Sequence, residues 1–194
     1  MVSTNDFSKV ILASASSRRH ELLSQLISKF DIQTADIDET PLPNELPEVL
    51  VKRLAVSKAQ LIWAKNPDAI VIGADTIVTF GNEIFGKPTS QNDSIKILNK
   101  LSGQRHVVMT GVAIISASKQ ISSLVKTEVE FTSLSNQQIQ AYWQTGEPQD
   151  KAGSYAIQGI GGKFVKRING SYSNVVGLPL VETNTMLAEM GIHE

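Results

Sequence analysis

Apolar and polar positions divide the chain into alternating strand-like and helix-like runs. Residues 9–13 read KVILA, a short β-branched run followed by small residues, and residues 18–27 carry Leu22, Leu23, Leu26 and Ile27 at helical spacing. The expected order is strand, loop, helix. Residues 31–37 predict a second strand, and the Pro-punctuated loop ETPLPNELP leads into a long helix with Pro47 in its first turn, reaching about residue 65.

Residues 69–72 (AIVI) are wholly apolar, as a buried central strand requires, and run through GADT into a second β-branched run at 77–80. This spacing puts Asp75 at the carboxyl end of a core strand, where open α/β sheets place ligands. Gly81-Asn82 predicts a turn, and 90–101 a helix with Ile95, Leu98 and Leu101 inward and Gly103 as its stop. Two β-rich runs, 106–116 and 120–132, flank a polar turn and predict an antiparallel pair. Ser135 caps a further helix that ends at Gly146. Residues 153–172 are expected to hold two short strands, a Gly-rich turn and a hairpin turn at Asn169-Gly170, before LPLVETNTMLAEMG closes the chain as a helix. No repeat or linker divides the sequence, so residues 1–194 are expected to form one α/β domain, long enough to bury a core without staples.

Charge and composition remove several function classes. Lys and Arg number 18 against 19 Asp and Glu, for a net charge of −1 without any long run of one sign, so nucleic acid is not an expected partner. The absence of Cys excludes disulfides, thiolate metal sites and a Cys nucleophile, and agrees with a reducing compartment. The start MVSTNDFSKV lacks an apolar leader core, and no segment approaches the roughly 18 uninterrupted apolar residues of a membrane span. A soluble, unprocessed cytoplasmic protein with no membrane partner is expected.

The candidate chemistry begins at LASASSRRHELL, where small residues let a ligand approach the backbone and Arg18 and Arg19 add two permanent cations, the makings of an anion site. Asp75 stands in GADT, with Gly73 and Ala74 clearing space beside it and Thr76 adding a second oxygen; its plain alternative is a capping aspartate. The DIDET cluster offers Asp36, Asp38 and Glu39, hard oxygen donors of the kind Mg²⁺ accepts, provided the fold brings them to Asp75. Lys58 lies in the helix and Lys87 in the loop GKP; with Arg18 and Arg19 they could neutralise much of a triphosphate's charge. Other motifs fail: GIGGKF lacks the spacing and the Ser/Thr of a P-loop, His20, His106 and His193 are scattered, and no GxSxG elbow exists.

Together SASSRRHELL, GADTIV, GKP and DKAGSYAIQGIGGKFVKRINGSYSNVVGLPL resemble the Maf family of nucleoside triphosphate pyrophosphatases, in order and spacing, from Ile11 to about Leu187. The resemblance implies an elongated α/β fold akin to the inosine-triphosphate pyrophosphatases, with a mixed, strongly twisted sheet, flanking helices and a cleft between two lobes, commonly in a homodimer. It implies hydrolysis of a nucleoside triphosphate to monophosphate and pyrophosphate, assisted by Mg²⁺ or Mn²⁺. By the same resemblance Asp75 is the proton acceptor and shares the metal site with Glu39. Arg18, Thr76 and Gln158 fall on the family's specificity positions, while Lys58 and Lys87 are expected to serve catalysis as cations and Ser14 and Arg19 to bind substrate. Gln158 would read the O4 and N3 edge of uracil or thymine as a buried amide.

The segment DKAGSYAIQG resembles the branch acting on dTTP and UTP, with modified pyrimidine triphosphates as further candidates; the 7-methyl-GTP branch carries a different sequence in place of AIQG. Ser17 stands where many relatives have Pro. A second reading, a nucleotide-binding regulator of septum formation and cell division, would need the cations but not the base and metal ligand.

Overall fold

The computed structural model describes residues 9–193; the polar start of the chain read as lacking a leader lies, up to residue 8, outside them. Strand β1 (Val10–Ala13) is buried along its whole length. Helix α1 (Ser17–Leu23) follows after three small residues, with Ser16 as its cap. It stops short of the expected residue 27: after Ser24 the amides of Gln25 and Leu26 bond only three residues back, to the carbonyls of Leu22 and Leu23, so the last turn tightens out of α geometry. Strand β2 (Asp31–Ile32) has two residues where seven were expected. As the edge strand it leans on β1 alone, and the register ends at Leu12 opposite Ile32, after which the chain departs into the acidic loop.

Helix α2 (Pro47–Trp63) begins on Pro47 and buries Leu50, Val51, Leu54, Ala55, Lys58, Ala59 and Ile62, a stripe that includes one lysine. Strand β3 (Ile70–Phe80) is continuous, so GADT lies inside a strand and not at its end. Strand β4 (Glu83–Phe85) folds back on β3 across the expected Gly81-Asn82 turn. Helix α3 (Gln91–Leu101) is capped by Ser90, and β5 (Arg105–Ile115) and β6 (Gln120–Phe131) form the expected antiparallel pair. Helix α4 (Asn136–Gln144) starts on a capping box of Ser135 and Gln138.

The Gly-rich tail differs from expectation. Instead of two strands it contains short 3₁₀ turns at Glu147–Asp150, Ala152–Ser154 and Ile160–Phe164, then one strand, β7 (Val165–Asn169). Asn169-Gly170 does not turn a hairpin but delivers the chain to a short helix, α5 (Tyr172–Val176), capped by Ser171. Thr127 on β6 holds this junction, accepting from the Ser171 amide at 3.0 Å and donating to its carbonyl at 3.1 Å. Helix α6 (Leu180–Glu189) ends the fold. Among the described residues no helix is long and apolar enough to cross a membrane.

All strands among the described residues join one sheet in the order β2-β1-β3-β5-β6-β7, with β4 beside β3. The first three are parallel and the rest antiparallel, giving the mixed α/β architecture with flanking helices that was expected. One cluster, with Leu12, Leu23, Ile72, Val112 and Leu187, packs α1 and α6 on one face, while α2 covers the other, with Ala55 and Ala59 in one cluster with Val71 of β3. A second lobe gathers Leu98, Leu101, Phe131, Ile139, Tyr142 and Phe164 under α3 and α4.

The sheet is split along one edge of β3. β1 pairs with Ile70 to Gly73 and β4 with Val78 to Phe80. Between them Ala74, Asp75, Thr76 and Ile77 have no strand on that edge among the described residues, although β5 pairs with them on the other. A cleft opens there. Strand alternation sends Asp75 toward α2 and Thr76 toward α1, so adjacent residues present two chemistries at the same break.

Candidate active site

Close approach of α2 builds the acidic half of the site. A Cβ on Gly73 would lie 2.8 Å from the Ala59 amide nitrogen, and one on Gly111, the residue paired with Asp75 across β5, would lie 2.6 Å from the Val51 carbonyl oxygen. Gly73 therefore clears space for the helix, not for a ligand as expected from sequence. With α2 this close, Lys58 reaches the sheet. Its Nζ donates to Asp75 Oδ1 at 2.7 Å and meets Glu39 Oε1 at 2.6 Å, bridging two carboxylates. Asp75 and Lys58 are 7% and 8% exposed, so their charges compensate each other out of bulk water. Glu39 remains half in solvent. Partial burial pushes its carboxyl up, but the hydrogen bond and charge of Lys58, with Lys87 and Arg19, outweigh this and hold it below the usual carboxylate range.

The opposite face of the break is organised by Arg19. Its Nε donates to Gly177 O at 2.8 Å, Nη2 to Thr76 Oγ1 at 2.9 Å and Nη1 to Ser14 Oγ at 3.3 Å. Thr76 Oγ1 lies 2.9 Å from Thr110 Oγ1, which donates to the Asn174 carbonyl at 3.0 Å. Three of the five guanidinium N–H groups are thus committed to protein, leaving two for a ligand. Burial lowers the Arg19 pKa and Asp75 opposes it, and the group stays charged. Ser14 and Thr76 are placed by this arginine as much as they face the cleft.

These groups line a cleft of about 710 Å³ that also takes in Arg18, Lys87, Asp150, Lys151 and Gln158. Its charged lining comprises five cations and three carboxylates, an excess of positive charge in a chain whose net charge is −1. Nine candidate positions, Ser14, Arg18, Arg19, Glu39, Lys58, Asp75, Thr76, Lys87 and, from far along the chain, Gln158, converge here. Other expectations do not hold. Asp38 accepts from the Thr40 amide at 2.9 Å and shapes the loop, and neither it nor Asp36 lines the cleft. Gln158 is exposed at the cleft wall and donates to Glu21 at 3.4 Å; it becomes a buried amide only if a bound base covers it.

Sequence reasoning missed several groups. Lys151 and Asp150 form an ion pair at the cleft wall, and both stand in the DKAG segment. Glu147 accepts from Tyr142 Oη at 2.6 Å and from the amides of Ile160 and Gly161 at 2.8 and 2.9 Å, while Tyr142 Oη accepts from the Ala156 amide at 3.1 Å. This pair pins both ends of the turn that carries Gln158. Its only sequence signal was the glycine density, since a Cβ on Gly159 or Gly161 would strike Glu147 or Tyr142.

The donors also define which metal would fit. Among the described residues no group of three His, Cys, Asp or Glu side chains could hold an ion. Glu39 and Asp75 supply two carboxylates beside an open, cationic cleft. That set fits a hard cation such as Mg²⁺ or Mn²⁺, which retains waters and takes its remaining oxygens from phosphate, and does not fit a closed zinc site.

A split α/β sheet with a carboxylate–ammonium–carboxylate bridge on one face and an arginine network on the other offers one cleft both acid–base groups and cations able to take a small polyanion. The Maf-like protein family model matches residues 9–190, and the chain belongs to that family. A dTTP/UTP pyrophosphatase of Pseudoalteromonas atlantica is 55% identical over 190 residues, covering 95% of this chain and 99% of the relative. One of Colwellia psychrerythraea is 50% identical over 194 residues, covering 97% and 92%. Among solved structures, a HAM1 protein from Coxiella burnetii superposes with a TM-score of 0.52 at 17% identity, covering 94% of this chain and all of that one, a likeness of fold alone.

Proposed function

We propose that this chain hydrolyses dTTP and UTP to the nucleoside monophosphate and pyrophosphate, with Asp75 as general base. The observation that carries this reading is the Lys58 bridge, which commits Asp75 Oδ1 at 2.7 Å. Asp75 Oδ2 accepts from no group among the described residues, and it is this oxygen that takes a proton from the attacking water. The water oxygen bonds to the α-phosphorus, and the bond to the bridging oxygen of the departing pyrophosphate breaks. Arg18, Lys87 and the two uncommitted N–H groups of Arg19 stabilise the charge that gathers on the leaving group, and Lys58 stands beside the attacked phosphate. Glu39 and Asp75 would hold Mg²⁺ or Mn²⁺, which when bound polarises phosphate oxygens. The names of relatives at 50–55% identity support the substrate class. A homodimer belongs to the same reading by resemblance, and a cytoplasmic setting by the lack of Cys.

Base choice falls to the turn around Gln158. Stacking of a pyrimidine against the cleft wall would displace the weak 3.4 Å bond to Glu21 and turn the amide onto the base edge. An unchanged dTTP-to-dCTP rate ratio in Gln158→Ala would remove Gln158 from this role. The reading as a whole is tested by incubating a panel of nucleoside triphosphates with Mg²⁺ or Mn²⁺ and identifying all products. dTMP or UMP with equimolar pyrophosphate is expected; release of orthophosphate, or faster turnover of 7-methyl-GTP, overturns it.

A further inference from the structure

Glu39 occupies an unusual position for a metal ligand: it is half-exposed and sits on a stretch, residues 33–46, without helix or strand. Something must fix that loop. Arg53 on the first half of α2 donates from Nε to Glu45 Oε1 at 2.7 Å and from Nη2 to Glu45 Oε2 at 2.8 Å, a two-pronged fork, and its Nη2 also donates to the Thr40 carbonyl at 3.2 Å. Glu45 in turn accepts from the Leu42 amide at 2.9 Å. One guanidinium therefore grips the carbonyl of Thr40, the residue directly after Glu39, together with Glu45 near the end of the loop, and ties both to the helix that carries Lys58.

We infer that Arg53 is a positioning residue that clasps residues 40–45 onto α2 and so holds the Glu39 carboxylate opposite Lys58 and Asp75. A lysine cannot replace it, because a single ammonium lacks the planar fork that engages both oxygens of Glu45 while reaching Thr40. Arg53 lies outside the charged lining of the cleft and touches neither Glu39 nor Asp75, so any effect it has on chemistry passes through the loop. The inference rests on the proposed metal role of Glu39, and its test separates the two.

Amide hydrogen exchange over residues 38–46 in Arg53→Met tests the clasp without metal or nucleotide. Faster exchange there, with protection in β3 and β5 unchanged, is expected; unchanged exchange overturns the inference. Mn²⁺ binding in the presence of a non-hydrolysable triphosphate, read by the electron paramagnetic resonance of free Mn²⁺, is then compared in wild type, Arg53→Met, Glu39→Gln and the double variant. Arg53→Met should weaken Mn²⁺ binding about tenfold, within the span seen for groups that orient metal ligands, and should cost less than about twofold in the Glu39→Gln background. A full additive loss in the double variant overturns the inference. If Glu39→Gln alone leaves Mn²⁺ binding unchanged, the metal role of Glu39 fails while the exchange result still decides the clasp. Should Arg53→Met not fold, Arg53→Lys carries the same comparison, with exchange again expected to rise and an unchanged value again decisive against the clasp.

Discussion

Gly73→Ala tests the link between packing and chemistry. The new Cβ would sit 2.8 Å from the Ala59 nitrogen and 3.0 Å from the Ala59 Cβ, and closest of all to the Ala55 carbonyl. Ordinary contact begins near 3.5 Å, so α2 must withdraw by about 1 Å. Overpacking of this kind costs about 1–3 kcal/mol, which in a chain of this length lowers Tm by about 4–8 °C at a cost of 2 kcal/mol. The same withdrawal stretches the 2.7 Å contact between Lys58 and Asp75 past hydrogen-bond range and displaces the base. A misplacement of about 1 Å corresponds to roughly a hundredfold in turnover. Urea unfolding and kcat for dTTP are measured together, with Gly86→Ala as the stability control, since nothing lies within 4 Å of a Cβ there. Stability within about 0.5 kcal/mol of wild type and turnover within about twofold would refute the packing argument.

Asp75→Asn keeps an oxygen for Lys58 and leaves Glu39 as its counter-ion but removes the base, so it should fold with reduced stability and lose about 10²–10⁴ in kcat; a folded variant with more than a tenth of the activity would contradict that. His106 is 1% exposed, its Nε2 lies 2.9 Å from Tyr155 Oη, and burial pulls its pKa from 6.5 to about 4. Between those values the unfolded chain binds a proton that the fold refuses, so stability is full above pH 6.5 and falls as acid is added, by about 3 kcal/mol at pH 4. Unfolding free energy across that window should lose much of its slope in His106→Phe, and an unaltered slope would contradict the assignment. Tyr142→Phe takes one partner from Glu147 and one from the Ala156 amide; it should cost about 1–3 kcal/mol and speed amide exchange in residues 156–161, and unchanged exchange there would contradict its anchoring role.

Much of this site was legible in the sequence because its residues stand in strong local patterns. Lys58 was legible only as a helix residue among the cations; that it falls four residues after Leu54 and seven after Val51, on the buried stripe of α2 where a lysine needs a buried partner, shows once the helix is docked. The antiparallel pair of β5 and β6 and the Pro47 start of α2 were also plain from period and punctuation. Other features depend on contacts distant in sequence. Nothing local reveals that β3 runs unbroken through GADT, because its continuity comes from the β5 partner and the break from where β1 and β4 stop. The Gly-rich tail suggests strands because glycines at that density read as turn residues. Two of them instead leave room for Glu147 and Tyr142, which arrive from the turn after α4 and from α4 itself. The exposure of Gln158 was equally hidden, since a side chain's burial depends on what lies across the cleft.

The central claim is that the cleft directs water onto the α-phosphorus, with pyrophosphate as the intact leaving group. Hydrolysis of dTTP in ¹⁸O-water, with the label located by mass spectrometry, tests it most directly. Label in dTMP and none in pyrophosphate is the expected result; label in pyrophosphate would place the attack on the β-phosphorus and contradict the account.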